Sequence, residues 1–576
     1  MKKNVLDLSS NSILPKEFLS ILDDIADEIR PNYVNFISDL NLKYKNDIDW
    51  ILTDLSSRNT PNCPLFENIC KLELIKRLSS NNQINEVITN CPFFYKSIVK
   101  NLNNKLIIID ESKIIVTFFK ILKNNLKKFI VLFYSYLSRF LISKIVRIKT
   151  LLGNKRSIII LESIIYENSF DNFVFKDRHY PGLLENTTET EKSTIFILPY
   201  YYGIWDFFKL FKKLKKTKTN FLIPENFLKF SDYYYAFFSF FRLSRKIKKI
   251  KNIKFNTMDV TDLVLDSYYK NIISIGSCEG IIRNRLIKRL KSKGVKIKKF
   301  IQWFENQPIN KGTIISLKTH YPNTNITGHI GIFTSPNVIG LYPSKQELDC
   351  DLLPDEIAVI GKNLASLIKV YCPDLKTLIS PAFRFQDLLI PKSSNRLSKK
   401  FTILIILPIF KIDYTMILNL FGLVNTQISD YNLLIKTHPG SNHNFVSKIL
   451  SDNNLIDYIT NKNIQDALAS SNLVITSASS SALESVFSGK PTLLISNGSS
   501  VLKNPIPSNI SSNLYSVCYN LDDIVNKIKY FMSLSNQQII DLQKLSNFNI
   551  TDYIEPNTLS ATQRFLGLDK SAIKNE

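Results

Sequence analysis

Residues 431–442 read YNLLIKTHPGSN, and residues 473–496 read LVITSASSSALESVFSGKPTLLIS. An apolar strand runs into Lys436-Thr437-His438-Pro439. A second strand ends in the hydroxyl run Thr476-Ser477-Ala478-Ser479-Ser480-Ser481, which opens a helix carrying Glu484. A Gly-Lys-Pro turn leads into a third strand. A hydroxyl-rich strand-to-helix junction suits phosphate, because free backbone N–H groups and the positive end of the helix dipole converge there. The His-Pro corner adds a donor from a neighbouring strand end. Strand, helix and strand in close succession are the unit of a parallel sheet.

The same alternation extends outward over most of the chain. Strands are expected at 49–55, 105–110, 193–200, 271–276, 296–304, 402–407, 432–436, 473–476 and 491–496. The fold class is therefore α/β, with two Rossmann-like domains facing a cleft. The polar stretch IPKSSNRLSKK, 390–400, marks the boundary. Residues 1–395 form the first domain, 400–567 the second and 568–576 a tail. No internal repeat is apparent.

The length of 576 residues allows roughly two to four domains. Hydrophobic residues make up 44% and the formal charge is +24. A basic balance points to nucleic acid, an anionic membrane or a phosphorylated substrate, although a composition saturated in Lys, Asn and Ile accounts for much of it. No RNA-binding or helix-turn-helix signature is present, so no nucleic-acid partner is expected. The seven cysteines include no C-x-x-C pair, and they read as small core residues in a reducing compartment. The N-terminus lacks the apolar core of a signal peptide. The expected location is cytoplasmic, peripheral on the inner face of the membrane.

That last expectation rests on residues 114–152, IIVTFFKILKNNLKKFIVLFYSYLSRFLISKIVRIKTLL, at the centre of a helical basic insertion over about 112–160. Apolar and aromatic residues alternate with Lys and Arg as in interfacial helices. Arg139 interrupts the longest apolar run, which argues against a transmembrane span. Packing on the first domain and contact with anionic lipid are both compatible with the pattern.

The H-P corner followed by a Ser/Thr-Ser run resembles motifs of bacterial sialyltransferases, of Kdo transferases of capsule synthesis and of CDP-glycerol glycerophosphotransferases. Ser57-Arg58-Asn59, Tyr180-Pro181-Gly182, Trp303-Phe304-Glu305-Asn306-Gln307 and Pro381-Ala382-Phe383-Arg384 resemble a family of surface-carbohydrate (O-antigen and capsule) biosynthesis proteins, over most of the chain. The resemblance implies a GT-B-like glycosyltransferase. His438, Ser479 and Ser480 would hold the phosphate of a CMP- or CDP-activated donor, with Lys436, Pro439, Ser477, Ser481 and Glu484 around them. Plain helix capping by serine, a turn-fixing His438 and a solvated Glu484 are the competing readings.

An inverting transferase needs a general base for the acceptor hydroxyl. Three candidates come from the first domain. Glu305 follows the strand 296–304, beside Trp303 as a sugar-stacking surface, with Asn306, Gln307 and Arg384 on the acceptor side. Glu279 follows the strand expected at 271–276, in an acid-Gly step similar to a sialyltransferase motif. His329, in Gly-His-Ile-Gly, resembles the base loop of the glycerophosphotransferases. For each, a buried structural role competes. Asp349-Cys350-Asp351 matches the D-x-D metal pattern but lacks a preceding strand, and neither a P-loop nor a Rossmann glycine fingerprint occurs. No cofactor or metal is expected. The expected reaction is metal-independent, inverting transfer of a sugar from a nucleotide donor to a surface glycan or lipid-linked acceptor. A polyol-phosphate transferase, a nucleotide-sugar epimerase and a non-catalytic scaffold are the alternatives.

Overall fold

The structure is a computed structural model. It describes residues 5–568 except 10–11, 103–106, 111–113, 151, 153–156, 247–249, 391–399, 442, 478, 511–512 and 546–547. The expected domain boundary and most of the expected tail thus lie outside the described residues.

Three parallel sheets organise the chain. The first pairs β1 (Val5–Asp7), β2 (Glu86–Thr89) and β3 (Ile107–Asp110) in that order. The second comprises β4 (Ile158–Ile165), β7 (Ile195–Tyr201), β10 (Ile297–Trp303), β11 (Asn325–Ile330), β12 (Glu356–Val359) and β13 (Lys376–Ile379), in the order β13-β12-β11-β10-β4-β7. The third holds β14 (Thr402–Ile406), β15 (Asn432–Lys436), β16 (Leu473–Thr476), β17 (Thr492–Ile495) and β18 (Tyr515–Cys518), in the order β15-β14-β16-β17-β18. Two short antiparallel hairpins lie in connections, β5 (Phe170–Asp171) with β6 (Val174–Phe175) and β8 (Lys254–Phe255) with β9 (Met258–Asp259).

The second and third sheets are Rossmann-like, and the fold is the α/β class expected. In each, the first two strands in chain order run outward one way and the later strands the other. The order therefore reverses between β4 and β10 and between β14 and β16. In such sheets the crevice outside the carboxyl ends at the reversal receives ligands. The ends of β14 and β16 are tied there by the Thr476 hydroxyl, which donates to the Ile406 carbonyl at 2.8 Å.

Two expected strands are not strands. Residues 49–55 begin as the helix Ile48–Ile51, because the Asp47 carboxylate accepts the N–H groups of Asp49 and Trp50. Residues 271–276 lead into the helix Ile275–Ser292, whose start Ser274 caps by accepting the Ser277 N–H. In both, a capping side chain turned an apolar run into a helix start. Conversely, β4 begins inside the segment assigned to the helical insertion. It is buried on both faces, and such strands read as unbroken apolar runs. Its one charge, Glu162, is buried against Arg283 at 3.1 Å.

The first 110 residues carry their own core, in which the helices Lys16–Lys43 and Leu65–Ser80 pack with residues 243–268. This layer is bolted to the second sheet by a buried charge cluster. Arg58 donates to Glu347 at 2.6 Å, and Lys311 reaches the other carboxylate oxygen at 2.9 Å. At the far end the chain returns to the second sheet. Phe565 and Leu566, in the helix Leu559–Leu566, are buried with Trp303 and Phe383. The chain beyond the third sheet therefore contacts the second-sheet domain through a returning helix.

Candidate functional site

The loop after β6 reads Asp177-Arg178-His179-Tyr180. One carboxylate oxygen of Asp177 accepts the N–H groups of His179 at 2.8 Å and Tyr180 at 3.2 Å, and the Ser163 hydroxyl of β4 at 2.8 Å. This clamp fixes the loop against the carboxyl end of β4. His179 is buried, stacked on Tyr166 and edge-on to Trp303 at 4.4 Å between ring centroids. Arg178 remains half-buried, with its guanidinium 5.4 Å from the Tyr166 ring.

Trp303 ends β10, and its indole N–H donates to Glu305 Oε1 at 2.9 Å. Gln307 Nε2 donates to Glu305 Oε2 at 2.7 Å. Both carboxylate oxygens are thus held, while the residue is only half-buried. Burial pushes the Glu305 carboxyl above its ordinary value, opposed by the Trp303 hydrogen bond and by the nearby Arg384 guanidinium. Arg384 lies in the 3-10 segment Phe383–Leu388, exposed, 6.0 Å from the Trp303 ring. Among the described residues neither Arg178 nor Arg384 has a carboxylate partner.

Across the cleft, His438 follows β15 and is half-buried. Its Nδ1 accepts the Gly440 N–H at 3.0 Å, so the neutral ring carries its proton on Nε2 as a donor. Burial lowers its pKa to about 4, with Arg384 and Arg178 as the next causes. The two first-domain guanidiniums therefore act on the second-domain imidazole. The serine run lies on the same carboxyl edge, about 10 Å away, two strand spacings across β14. There Ser479 Oγ accepts the Ser481 N–H at 3.3 Å and the Ser481 hydroxyl at 2.9 Å, and Ser480 precedes the helix Ser481–Phe487 with no side-chain capping bond.

Several expected roles do not survive this geometry. Glu279 sits inside the helix Ile275–Ser292, buried, and its carboxylate is taken by Arg139 at 2.6 Å. His329 is fully buried within a shell of Tyr180, Trp303, Phe383 and Phe565. Burial lowers its pKa to about 3, and no acceptor hydroxyl can reach it as placed. Trp303 is only 7% exposed, so it braces Glu305 and offers no sugar platform. Asn306 is buried, in the left-handed region with φ 53°, and donates to Glu347 at 3.3 Å. Lys436 gives its ammonium to the Lys462 carbonyl at 2.6 Å, and the Ser477 hydroxyl is spent on the Ile495 carbonyl at 2.8 Å. Pro439 is exposed beside His438, and Glu484 is half-buried.

Sequence reading missed Arg178, His179 and Tyr166. The available signal was a run of charged and aromatic residues immediately before the quoted Tyr180-Pro181-Gly182. Metal-ligand spacing was absent there, and among the described residues no group of three His, Cys, Asp or Glu could hold a metal ion.

No protein-family model matches the chain, and no curated protein matches it. Among solved structures, it is similar to a putative UDP-N-acetylglucosamine 2-epimerase from Listeria monocytogenes at 10% identity, over 73% of this chain and 98% of that one, with a TM-score of 0.44. A UDP co-structure of MnaA from S. aureus aligns at 11% identity over 72% and 98% of the two chains, with a TM-score of 0.41. MurG from Acinetobacter baumannii aligns at 10% identity over 72% and 100%, with a TM-score of 0.37. Likeness at these scores carries no argument about the reaction.

Proposed function

We propose that the protein is a glycosyltransferase that binds a nucleotide-activated sugar in the cleft between the second and third sheets and passes the sugar to a glycan or lipid-linked acceptor. The observation that carries this reading is the pair Arg178 and Arg384, which form no ion pair among the described residues and lie near enough to the neutral His438 to lower its pKa. A cleft holding two arginines outside any ion pair, one of them near Glu305, and an N–H donor suits an anion of two or more charges. A nucleoside diphosphate or monophosphate leaving group is such an anion. Its developing charge would be met by the two guanidiniums and the His438 Nε2–H, with the Ser479 and Ser480 hydroxyls along the same sheet edge. Glu305, its basicity raised by burial, is the group placed to take the acceptor proton. These residues supply both requirements without a metal ion.

The favoured donor is CMP-linked, on the resemblance of the H-P and serine motifs. A polyol-phosphate transferase reading loses its proposed base, because His329 is enclosed by aromatic rings. A scaffold has no use for two unpaired cleft arginines.

The test is calorimetry and thermal shift with CMP, CDP, UDP, GDP and ADP, without added metal, on the wild type and on His438→Ala and Arg384→Ala. A bound nucleotide raises the melting temperature by mass action. Selective stabilisation by a cytidine nucleotide, lost in both variants, is expected. Selectivity for UDP or GDP would replace the donor class, and no response from a folded protein would return the scaffold reading.

A further inference from the structure

The helix Ile114–Val146 has two apolar faces, and the protein covers only one. Asn125, Leu132, Tyr136, Arg139, Ser143 and Val146 are buried against the second sheet's domain. Along this face Asn125 donates to the Tyr269 carbonyl at 3.0 Å, and Arg139 is paired with Glu225 at 3.0 Å and Glu279 at 2.6 Å. A separate stripe of Phe119, Leu122, Leu126, Ile130, Phe133 and Leu141 is 48–63% exposed. Its spacing of three, four and eight residues places it on one side of the helix. A helix this apolar on two sides leaves its second face to be covered by something other than water.

The exposed stripe continues onto neighbouring elements. Tyr134 lies 6.1 Å from Trp205, which is 57% exposed, and Phe133 lies 5.6 Å from Phe237. Tyr and Trp at the rim of an apolar patch are the side chains favoured at a bilayer interface. The charge is one-sided. No acidic residue occurs from 112 to 161, while Lys120, Lys123 and Lys127 line one flank of the stripe. Among the described residues these three lysines have no ion pair. The adjacent helix Phe207–Lys216, FFKLFKKLKK, adds five more lysines.

By length and composition this helix is apolar enough to cross a membrane. Crossing would strip Arg139 from its two carboxylates and leave its charge in hydrocarbon. The hydrogen bonds and ion pairs from Asn125 to Arg139 hold the helix along the protein surface, so its free face meets a membrane side-on.

We infer that this face seats the protein on the surface of an anionic phospholipid bilayer, with the aromatic stripe in the interface and the lysines against the headgroups. The partner is fixed by complementarity: an apolar, aromatic centre beside uncompensated lysines matches acyl chains beneath phosphates. Docking there would bring the cleft to a lipid-linked acceptor, but the inference stands on the helix alone.

The experiment is co-sedimentation of the full chain with vesicles of phosphatidylglycerol and phosphatidylethanolamine, against vesicles of phosphatidylcholine. Wild type is expected to bind the anionic vesicles and to release as salt rises. Lys120→Glu, Lys123→Glu and Lys127→Glu together should weaken binding by about fivefold or more per charge. Phe119→Glu with Leu126→Glu and Ile130→Glu should abolish it at an unchanged melting temperature, since all three positions are exposed. Failure of the wild type to bind anionic vesicles overturns the inference. So does a wild-type dimer, in sedimentation velocity, that the same apolar substitutions split. The assay reads no catalytic step, so its outcome is independent of what the cleft transforms.

Discussion

The indole nitrogen of Trp303 donates to Oε1 of Glu305 at 2.9 Å, so the side chain expected to stack on a sugar instead holds the candidate base. That bond lowers a carboxyl that burial raises. Trp303→Phe keeps the ring and removes the donor. The Glu305 pKa should then rise further, and the acid limb of the pH–rate profile should move to higher pH, since only the ionised carboxylate accepts a proton. Glu305→Gln should lower turnover by about 10²–10⁴-fold with nucleotide binding retained. Equal loss of nucleotide binding would assign Glu305 to the donor site.

Arg384→Ala tests the electrostatic link across the cleft. His438 titrates at about 4 beside Arg384 and Arg178. Removing either guanidinium should raise that value toward 6.5 without reaching it, because burial, the largest cause, persists. Histidine NMR titration reads the shift directly. A saturating nucleotide should raise the His438 pKa in the wild type, since an anion favours the protonated ring. An unchanged titration with nucleotide bound would place the anion elsewhere.

Glu347 ties the N-terminal layer to the second sheet. Burial alone would raise its carboxyl, but Arg58 and Lys311 bring it down to about 2. A depressed carboxyl contributes stability that is fully present above its unfolded value, near 4.5, and is lost as pH falls through the folded value. Stability should therefore decline between about pH 4.5 and 2. Glu347→Ala leaves two buried cations unpaired and should cost about 3–5 kcal/mol at pH 7 by denaturant unfolding. A cost below about 1 kcal/mol would mean that the cluster is open to water.

The helices Ile275–Ser292 and Pro308–His320 cross at Gly280 and Gly312, where a Cβ on Gly312 would collide with the Gly280 backbone. The obstacle is main chain, which cannot swing aside as a side-chain tip does. Gly312→Ala should destabilise by at least about 1–3 kcal/mol, measured as a lower denaturant midpoint. Gly294→Ala is the control for glycine replacement without a clash. Gly294 has φ 71° and open space around it, so only backbone strain is felt there.

The cleft shows how chain order and space part company. His438, Ser479 and Ser480 were legible because strand, turn and helix signals within one short segment put them on a single sheet edge. Glu305 was legible as a carboxylate just past a strong strand. The expected partners failed where a local pattern had two physical outcomes. Glu279 in an acid-Gly step and His329 between glycines are each motif-like, yet Arg139 claims the first and an aromatic shell encloses the second. Arg178 carried no motif of its own. Its place depends on Asp177 pinning a loop to Ser163, fourteen residues earlier in the chain.

By itself the sequence determined the α/β class, β14 to β17 of the third sheet, β7 and β10 of the second and the long basic helix, because apolar periodicity and capping act over a few neighbouring residues. It could not decide which charges neutralise each other. Arg58 meets Glu347 across 289 positions, and Arg139 meets Glu279 across 140. Arg178 and Arg384, chemically the same, form no ion pair among the described residues. Only the tertiary structure separates arginines buried in ion pairs from arginines left outside them. Ion pairing in a folded chain depends on distance through space, and local sequence patterns do not encode it.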